Sequence, residues 1–171
     1  MTVQGAADPP APVMAYVSAG SNIEPERHLR MAVGELRGRF GPLLLSSVYR
    51  SRAAGFTGAD FLNLVLGFAT RETPAAIVAE LERLHAAAGR VRGAARFAPR
   101  TLDLDLLLYG DRVCASPPIP RRDITEYSFV LGPLAEIAPQ LRHPVSGATM
   151  AGLWEHFDQA SHPIHRVALE F

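Results

Sequence analysis

Asp103 and Asp105 stand one residue apart in the run TLDLDLLLYG, directly behind a stretch, RVRGAARFAPR, that holds Arg90, Arg92, Arg96 and Arg100. Side chains at i and i+2 of an extended strand point to the same face. The two carboxylates should therefore project together while Leu102, Leu104 and Leu106 turn the other way, toward a core. Paired carboxylates are hard oxygen ligands suited to Mg²⁺ carried on a polyphosphate, and guanidinium groups nearby can neutralise charge on a phosphoryl group in flight. Taken alone, an Asp-x-Asp pair is often solvated surface and an arginine run a charged loop. The run from Thr101 to Tyr109 is too apolar for a freely exposed strand, however. Two carboxylates on such a strand are costly unless a cation pairs them.

Holding that pair in place requires a sheet with a packed face. Residues 14–19 form a short apolar run closed by Gly20, a first strand. Ser21 or Asn22 is placed to cap the helix that follows, in which Leu29, Val33 and Leu36 recur at helical spacing until Gly38 and Gly41-Pro42. Residues 43–50 read as a second strand, SRAAGFTGAD as a loop, and residues 61–70 as a third strand. Pro74 opens a second helix with Ile77, Leu81 and Leu84 on one face, ended by Gly89. Residues 102–109 are the fourth strand. Pro117, Pro118 and Pro120 then break the chain, and short helices are expected over 133–137 and 150–157. The order is strand, helix, strand, strand, helix, strand. That is the ferredoxin-like βαββαβ pattern of the α+β class, with helices against an antiparallel sheet.

Bulk properties narrow the function. The 171 residues, 48% of them hydrophobic, suffice for one domain with a real core. A formal net charge of zero argues against nucleic-acid binding and leaves the arginine stretch as a local feature, suited to a small anionic ligand. The single Cys114 excludes an intrachain disulfide or a cysteine metal cluster and suits a cytoplasmic protein. No apolar run approaches the length of a membrane span. Residues 1–13, rich in Ala and Pro, read as a disordered leader without signal-peptide features, ahead of a single domain over 14–171.

The run RFAPRTLDLDLLLYG resembles the signature of 6-hydroxymethyl-7,8-dihydropterin pyrophosphokinase, the folate-pathway enzyme. AYVSAGSNIEPERHLRMAV, SSVYRS, DFLNLVLGFAT and FVLGPLAEIAP resemble further segments of that family, in the same order, so that the likeness covers about residues 14 to 157. It implies a ferredoxin-like core elaborated into a three-layered α-β-α sandwich, and transfer of the β,γ-pyrophosphoryl unit of ATP to a dihydropterin hydroxymethyl group. It further implies two Mg²⁺ ions on Asp103 and Asp105, and catalytic roles for Arg100, Arg92 and Arg90. ATP would be bound by Arg92, Arg96, Phe97, Arg100, Arg121, Arg122 and His85. The pterin would be bound by Asn63 at its amide edge and stacked on Phe129, with Phe61, Ser51, Ala53 and Ala54 lining the same pocket. The partners implied are ATP and the pterin alone, with no nucleic acid or membrane, in a monomer.

Several positions depart from the family pattern. Ala19 replaces a Leu, Phe97 stands where Trp is common, and His85 where Glu is common. RSRAAG lacks the usual Pro, Arg121-Arg122 follow Pro120 in place of a His, and Tyr127 replaces a polar residue. The stretch between Gly110 and Pro120 is short. These changes lie toward the adenosine and the pterin loop, whereas the carboxylate pair and Arg100 are kept. A diverged pterin- or nucleotide-binding paralogue is the alternative they raise. An RNA-binding ferredoxin-like domain is a third reading, opposed by the charge of Asp103 and Asp105.

Overall fold

A computed structural model of the chain describes residues 9–53, 57–89 and 102–171. Its elements in order are β1 (Val13–Ser21), α1 (Pro25–Phe40), β2 (Leu44–Leu45), β3 (Val48–Ser51), β4 (Phe61–Thr70), α2 (Pro74–Ala87) and β5 (Asp103–Tyr109). Then follow β6 (Cys114–Ala115), β7 (Pro118–Ile119), α3 (Asp123–Glu126), α4 (Ser128–Ile137), α5 (Met150–Glu155) and β8 (His165–Val167). Among the described residues the main sheet runs β5-β1-β4-β3-β8, with β2 also beside β4 and every pairing antiparallel. Leaving out β2 and β8, this is the ferredoxin-like order, the fourth strand of the motif beside the first and the third beside the second. No described helix is long and apolar enough to cross a membrane.

Each face of the sheet has its own core. Ala15, Val17 and Ala19 of β1 and Leu62, Leu64, Leu66 and Phe68 of β4 alternate onto one face, where Leu29, Val33 and Leu36 of α1 and Ile77, Leu81 and Leu84 of α2 meet them. The intervening Tyr16 and Val65 turn to the second face and pack with Ile124, Val130, Leu131, Leu134 and Met150 from α3, α4 and α5. The result is the expected α-β-α sandwich.

β5 serves both cores through a bulge. Its pairing with β1 slips between Tyr16, opposite Leu108, and Val17, opposite Leu106. Leu107 is the extra residue, so Leu104 and Leu106 face the first core while Leu107 and Leu108 both face the second.

Some local expectations are corrected. Neither Ser21 nor Asn22 caps α1. Ser21 ends β1, its hydroxyl donating to the Ile23 carbonyl at 3.1 Å, while the Asn22 amide donates to the Ala59 carbonyl at 3.2 Å. The helix instead starts at Pro25, behind Glu24 in the left-handed region at φ 42°, and continues through Gly38 to a cap at Gly41 with φ 83°. The expected single strand over 43–50 is broken at Ser46. There the hydroxyl accepts the Val65 amide at 2.9 Å in place of a ladder carbonyl. α4 starts earlier than expected, and α3 and β8 carry too few residues to show a period. Of the proposed leader, residues 1–8 lie outside the described residues and Val13 opens β1.

Candidate functional site

Asp103 and Asp105 lie half-buried on β5 and share the second face, as the spacing requires. Register fixes what lies beside them. Asp103 is opposite Gly20 of β1, Gly20 is opposite Asn63 of β4, and Asn63 is opposite Tyr49 of β3. A row of four residues thus crosses four strands, and Gly20 leaves it bare between carboxylate and amide. A Cβ on Gly20 would stand 2.9 Å from Asn63 Oδ1. Asp103 and Asn63 are therefore about 10 Å apart, two strand spacings, across a floor of backbone.

Asn63 is buried, and its orientation is set from β3: Nδ2 donates to Ser51 Oγ at 2.9 Å and to the Tyr49 carbonyl at 3.4 Å. Phe61 opens β4 opposite Ser51 and, two residues before Asn63, shares its face. Phe129, in the first turn of α4, is half-buried and stacks on Tyr127 with ring centroids 5.0 Å apart at 20°. Ala53 follows β3 and is half-buried.

On the other side of the carboxylates stands Arg121. Its main-chain amide donates to the Leu107 carbonyl at 3.0 Å, on the bulge of β5. Its guanidinium lies 3.5 Å from Asp105 and 3.2 Å from Asp123. Burial disfavours the charged guanidinium, but Asp105, Asp123 and Asp103 together outweigh that and raise its pKa, so this cation is held firmly charged. Arg122 is exposed and pairs with Glu126 at 3.0 Å. His85 is buried under β5. Its Nε2 accepts the Leu104 amide at 2.8 Å, and its Nδ1 lies 3.4 Å from a Glu82 carboxylate oxygen. Arg90, Arg92, Arg96, Phe97, Arg100 and Ala54 lie outside the described residues.

Two half-exposed carboxylates on one face fit Mg²⁺, which usually takes one or two protein carboxylates and completes its shell with water and substrate phosphate. Among the described residues there is no group of three or more His, Cys, Asp and Glu that could hold a metal ion. The surface is therefore acidic at β5 and offers an oriented amide at β4. Phe61 stands two residues from that amide on the same face, Phe129 lies in the first turn of α4, which packs on that face of the sheet, and the Arg121 guanidinium stands beside Asp105.

A family model described as 7,8-dihydro-6-hydroxymethylpterin-pyrophosphokinase (HPPK) matches residues 16–139. The chain belongs to this family. The HPPK match runs from β1 to just beyond α4 and so contains the whole row from Asp103 to Tyr49. Among curated relatives, 2-amino-4-hydroxy-6-hydroxymethyldihydropteridine pyrophosphokinase of a Synechocystis species is 39% identical over 149 residues, 84% of this chain and 76% of the relative. The protein of the same name from Haemophilus influenzae is 36% identical over 140 residues, 78% of this chain and 87% of the relative. Among solved structures, an HPPK-DHPS in complex with substrates superposes with a TM-score of 0.71 at 11% identity, over 89% of this chain and 44% of that one. Wild-type Plasmodium falciparum HPPK-DHPS gives 0.66 at 11% identity, over 84% and 44%. The chain thus spans less than half of those two larger proteins, and the likeness to them concerns the fold.

Sequence reasoning named the carboxylates, Asn63 and Phe129 as candidates, and the structure sets Asp103 and Asn63 in one row across the sheet and Phe129 in the first turn of α4. Sequence reasoning missed the backbone floor at Gly20, the tie from Ser51 to Asn63 and the contact of Arg121 with Asp105. A Gly at the end of an apolar run reads first as a turn, and contacts between distant segments leave no local signal.

Proposed function

We propose that the protein transfers the pyrophosphoryl unit of ATP to 6-hydroxymethyl-7,8-dihydropterin. The pterin hydroxymethyl oxygen attacks the β-phosphorus, the bond from that phosphorus to the α,β-bridging oxygen breaks, AMP leaves, and the hydroxyl proton passes to solvent. The observation that carries this reading is the row from Asp103 across bare Gly20 to Asn63. It puts a pair of carboxylates on one strand and an oriented amide on another about 10 Å apart, two strand spacings, in a chain of the HPPK family, which supports a site for one small molecule between them.

In this reading Asp103 and Asp105 hold two Mg²⁺ ions. Bound there, Mg²⁺ would supply positive charge against the phosphate oxygens. Asn63 presents Oδ1 toward the pterin edge, its Nδ2 being committed to β3. Phe129 and Phe61 supply apolar faces for the ring, and Ser51, Ala53 and Ala54 line its pocket. Arg90, Arg92, Arg96 and Arg100 give guanidinium donors to the triphosphate, with Phe97, Arg121 and Arg122 toward the nucleotide, whereas His85, buried with its Nε2 on the Leu104 amide and its Nδ1 toward Glu82, is turned away from it. The protein's work is positioning and electrostatics, with no covalent intermediate. It acts as a single-domain monomer in the cytoplasm.

The test is AMP release from ATP by purified protein with Mg²⁺ and the pterin. Asp103→Ala and Asp105→Ala are expected to lower turnover by more than about a hundredfold, beyond the upper end of what loss of an outer-shell partner costs, with melting temperatures near that of the parent. Turnover close to the parent's in either variant would overturn the assignment of the carboxylates.

A further inference from the structure

We infer that His85 is a positioning residue for the carboxylate pair, acting through the backbone of the strand that carries it; this rests on the reading of Asp103 and Asp105 as cation ligands. Among the described residues β5 is the last strand of the main sheet, with β1 beside it. Along an antiparallel strand the main-chain N–H and C=O groups point alternately toward the partner and away from it. The Leu104 amide donates to His85 Nε2 at 2.8 Å, so Leu104 directs its polar groups to the open edge. Asp103 and Asp105, on either side of it, then direct theirs toward Gly20 and Ser18 of β1. One imidazole therefore holds the peptide midway between the two acids.

Burial makes this contact matter. Leu104 is 2% exposed and His85 3% exposed, so water does not replace the bond if it is lost. The ring is oriented from its other side as well, with Nδ1 3.4 Å from Glu82, one turn earlier on α2. An amide N–H can only donate, so Nε2 must be the acceptor and the neutral ring carries its proton on Nδ1, toward Glu82. Register is also at stake. The bulge at Leu107 lets β5 change phase, and the acid-bearing half lies on the far side of it from the half buried against α4. A slip of one residue in that half would turn both carboxylates to the first core. His85 anchors it at its centre, to a helix packed on the opposite face.

The test uses the full chain with Mn²⁺ as the probe cation, alone and with a non-hydrolysable ATP analogue, read by electron paramagnetic resonance. Amide hydrogen exchange at Leu104 is followed in the metal-free protein by nuclear magnetic resonance. His85→Leu removes the acceptor, and His85→Gln keeps one on a side chain of similar reach. In His85→Leu, Leu104 exchange is expected to accelerate and Mn²⁺ affinity to fall by about tenfold or more, the range for lost outer-shell partners. His85→Gln is expected to restore most of both. Unchanged Leu104 exchange or unchanged Mn²⁺ affinity in His85→Leu would overturn the inference. So would equal losses in both variants, which would mark a packing role. Asp103→Asn separates the two levels. If it binds Mn²⁺ as the parent does, the carboxylate reading falls and the inference with it; if it weakens Mn²⁺ while His85→Leu does not, the inference alone falls.

Discussion

Gly20 governs how far apart the two ends of the site stand and what lies between them. Its neighbours in the row, Asp103 and Asn63, both carry polar side chains on the second face, and nothing rises from the strand separating them. A methyl group there would meet Asn63 Oδ1 at 2.9 Å, closer than carbon and oxygen normally approach. Asn63 cannot simply swing away, because its amide nitrogen is tied to Ser51. Gly20→Ala should therefore destabilise the fold by about 1–3 kcal/mol, the usual effect of overpacking. It should also weaken pterin binding more than nucleotide binding. Calorimetric titrations with each ligand separately check this. Equal losses for both, or none, would mean that the floor is not where the pterin edge rests.

At the scale of elements, the second layer is fastened by Glu136 of α4. Its carboxylate accepts from Ser47 N at 3.0 Å, Ser47 Oγ at 2.6 Å and Tyr49 Oη at 2.8 Å, and Arg166 of β8 lies 3.5 Å away. Partial burial works to raise the Glu136 pKa, but the two Ser47 bonds, the Tyr49 hydroxyl and Arg166 outweigh it, leaving it below its ordinary value of 4.5. A carboxyl depressed in the folded state contributes stability that is present above its unfolded pKa and lost as pH falls through the folded value. Glu136→Gln should thus cost about 1.5–3 kcal/mol at neutral pH, as for hydrogen bonds to a charged group. The difference from the parent should shrink as pH drops below 4.5. Urea midpoints of both proteins across pH 3–7 measure it, and a pH-independent difference would refute the ionic contribution.

These elements were unevenly legible in the sequence. β4 and α2 stood out because β4 is a long apolar run, and Pro74 and Ile77, Leu81 and Leu84 mark the helix. Asp103 and Asp105 were readable because a period of two needs no knowledge of the partner strand. The break at Ser46 was not, since it depends on a hydroxyl replacing a carbonyl across the sheet. Nor was β8, three residues that become a strand only because β3 offers an edge. The family resemblance makes His85 a nucleotide neighbour, while its bond to Leu104 depends on how α2 lies under β5.

For the whole molecule, one sheet is shared by two cores, and neither helical layer has a buried face of its own without it. Unfolding should therefore be a single event. Trp154, the only tryptophan, lies in the second layer, whereas α1 and α2 in the first dominate the helical content. Tryptophan fluorescence and far-ultraviolet circular dichroism should give coincident denaturant transitions. A fluorescence transition that clearly precedes the dichroism change would show that α4 and α5 detach first.

β5 also bears on how the chain behaves in company. An edge strand displays a row of unmet donors and acceptors, and a strand from a second molecule can join it and propagate an aggregate. Here the Leu104 amide is taken by an imidazole and the Leu107 carbonyl by the Arg121 amide. The two like charges of Asp103 and Asp105 repel an identical strand laid alongside. The contacts that hold the carboxylates in place therefore also leave an incoming chain little to grip, and weakening them should surface as loss of solubility on concentration even where the fold survives.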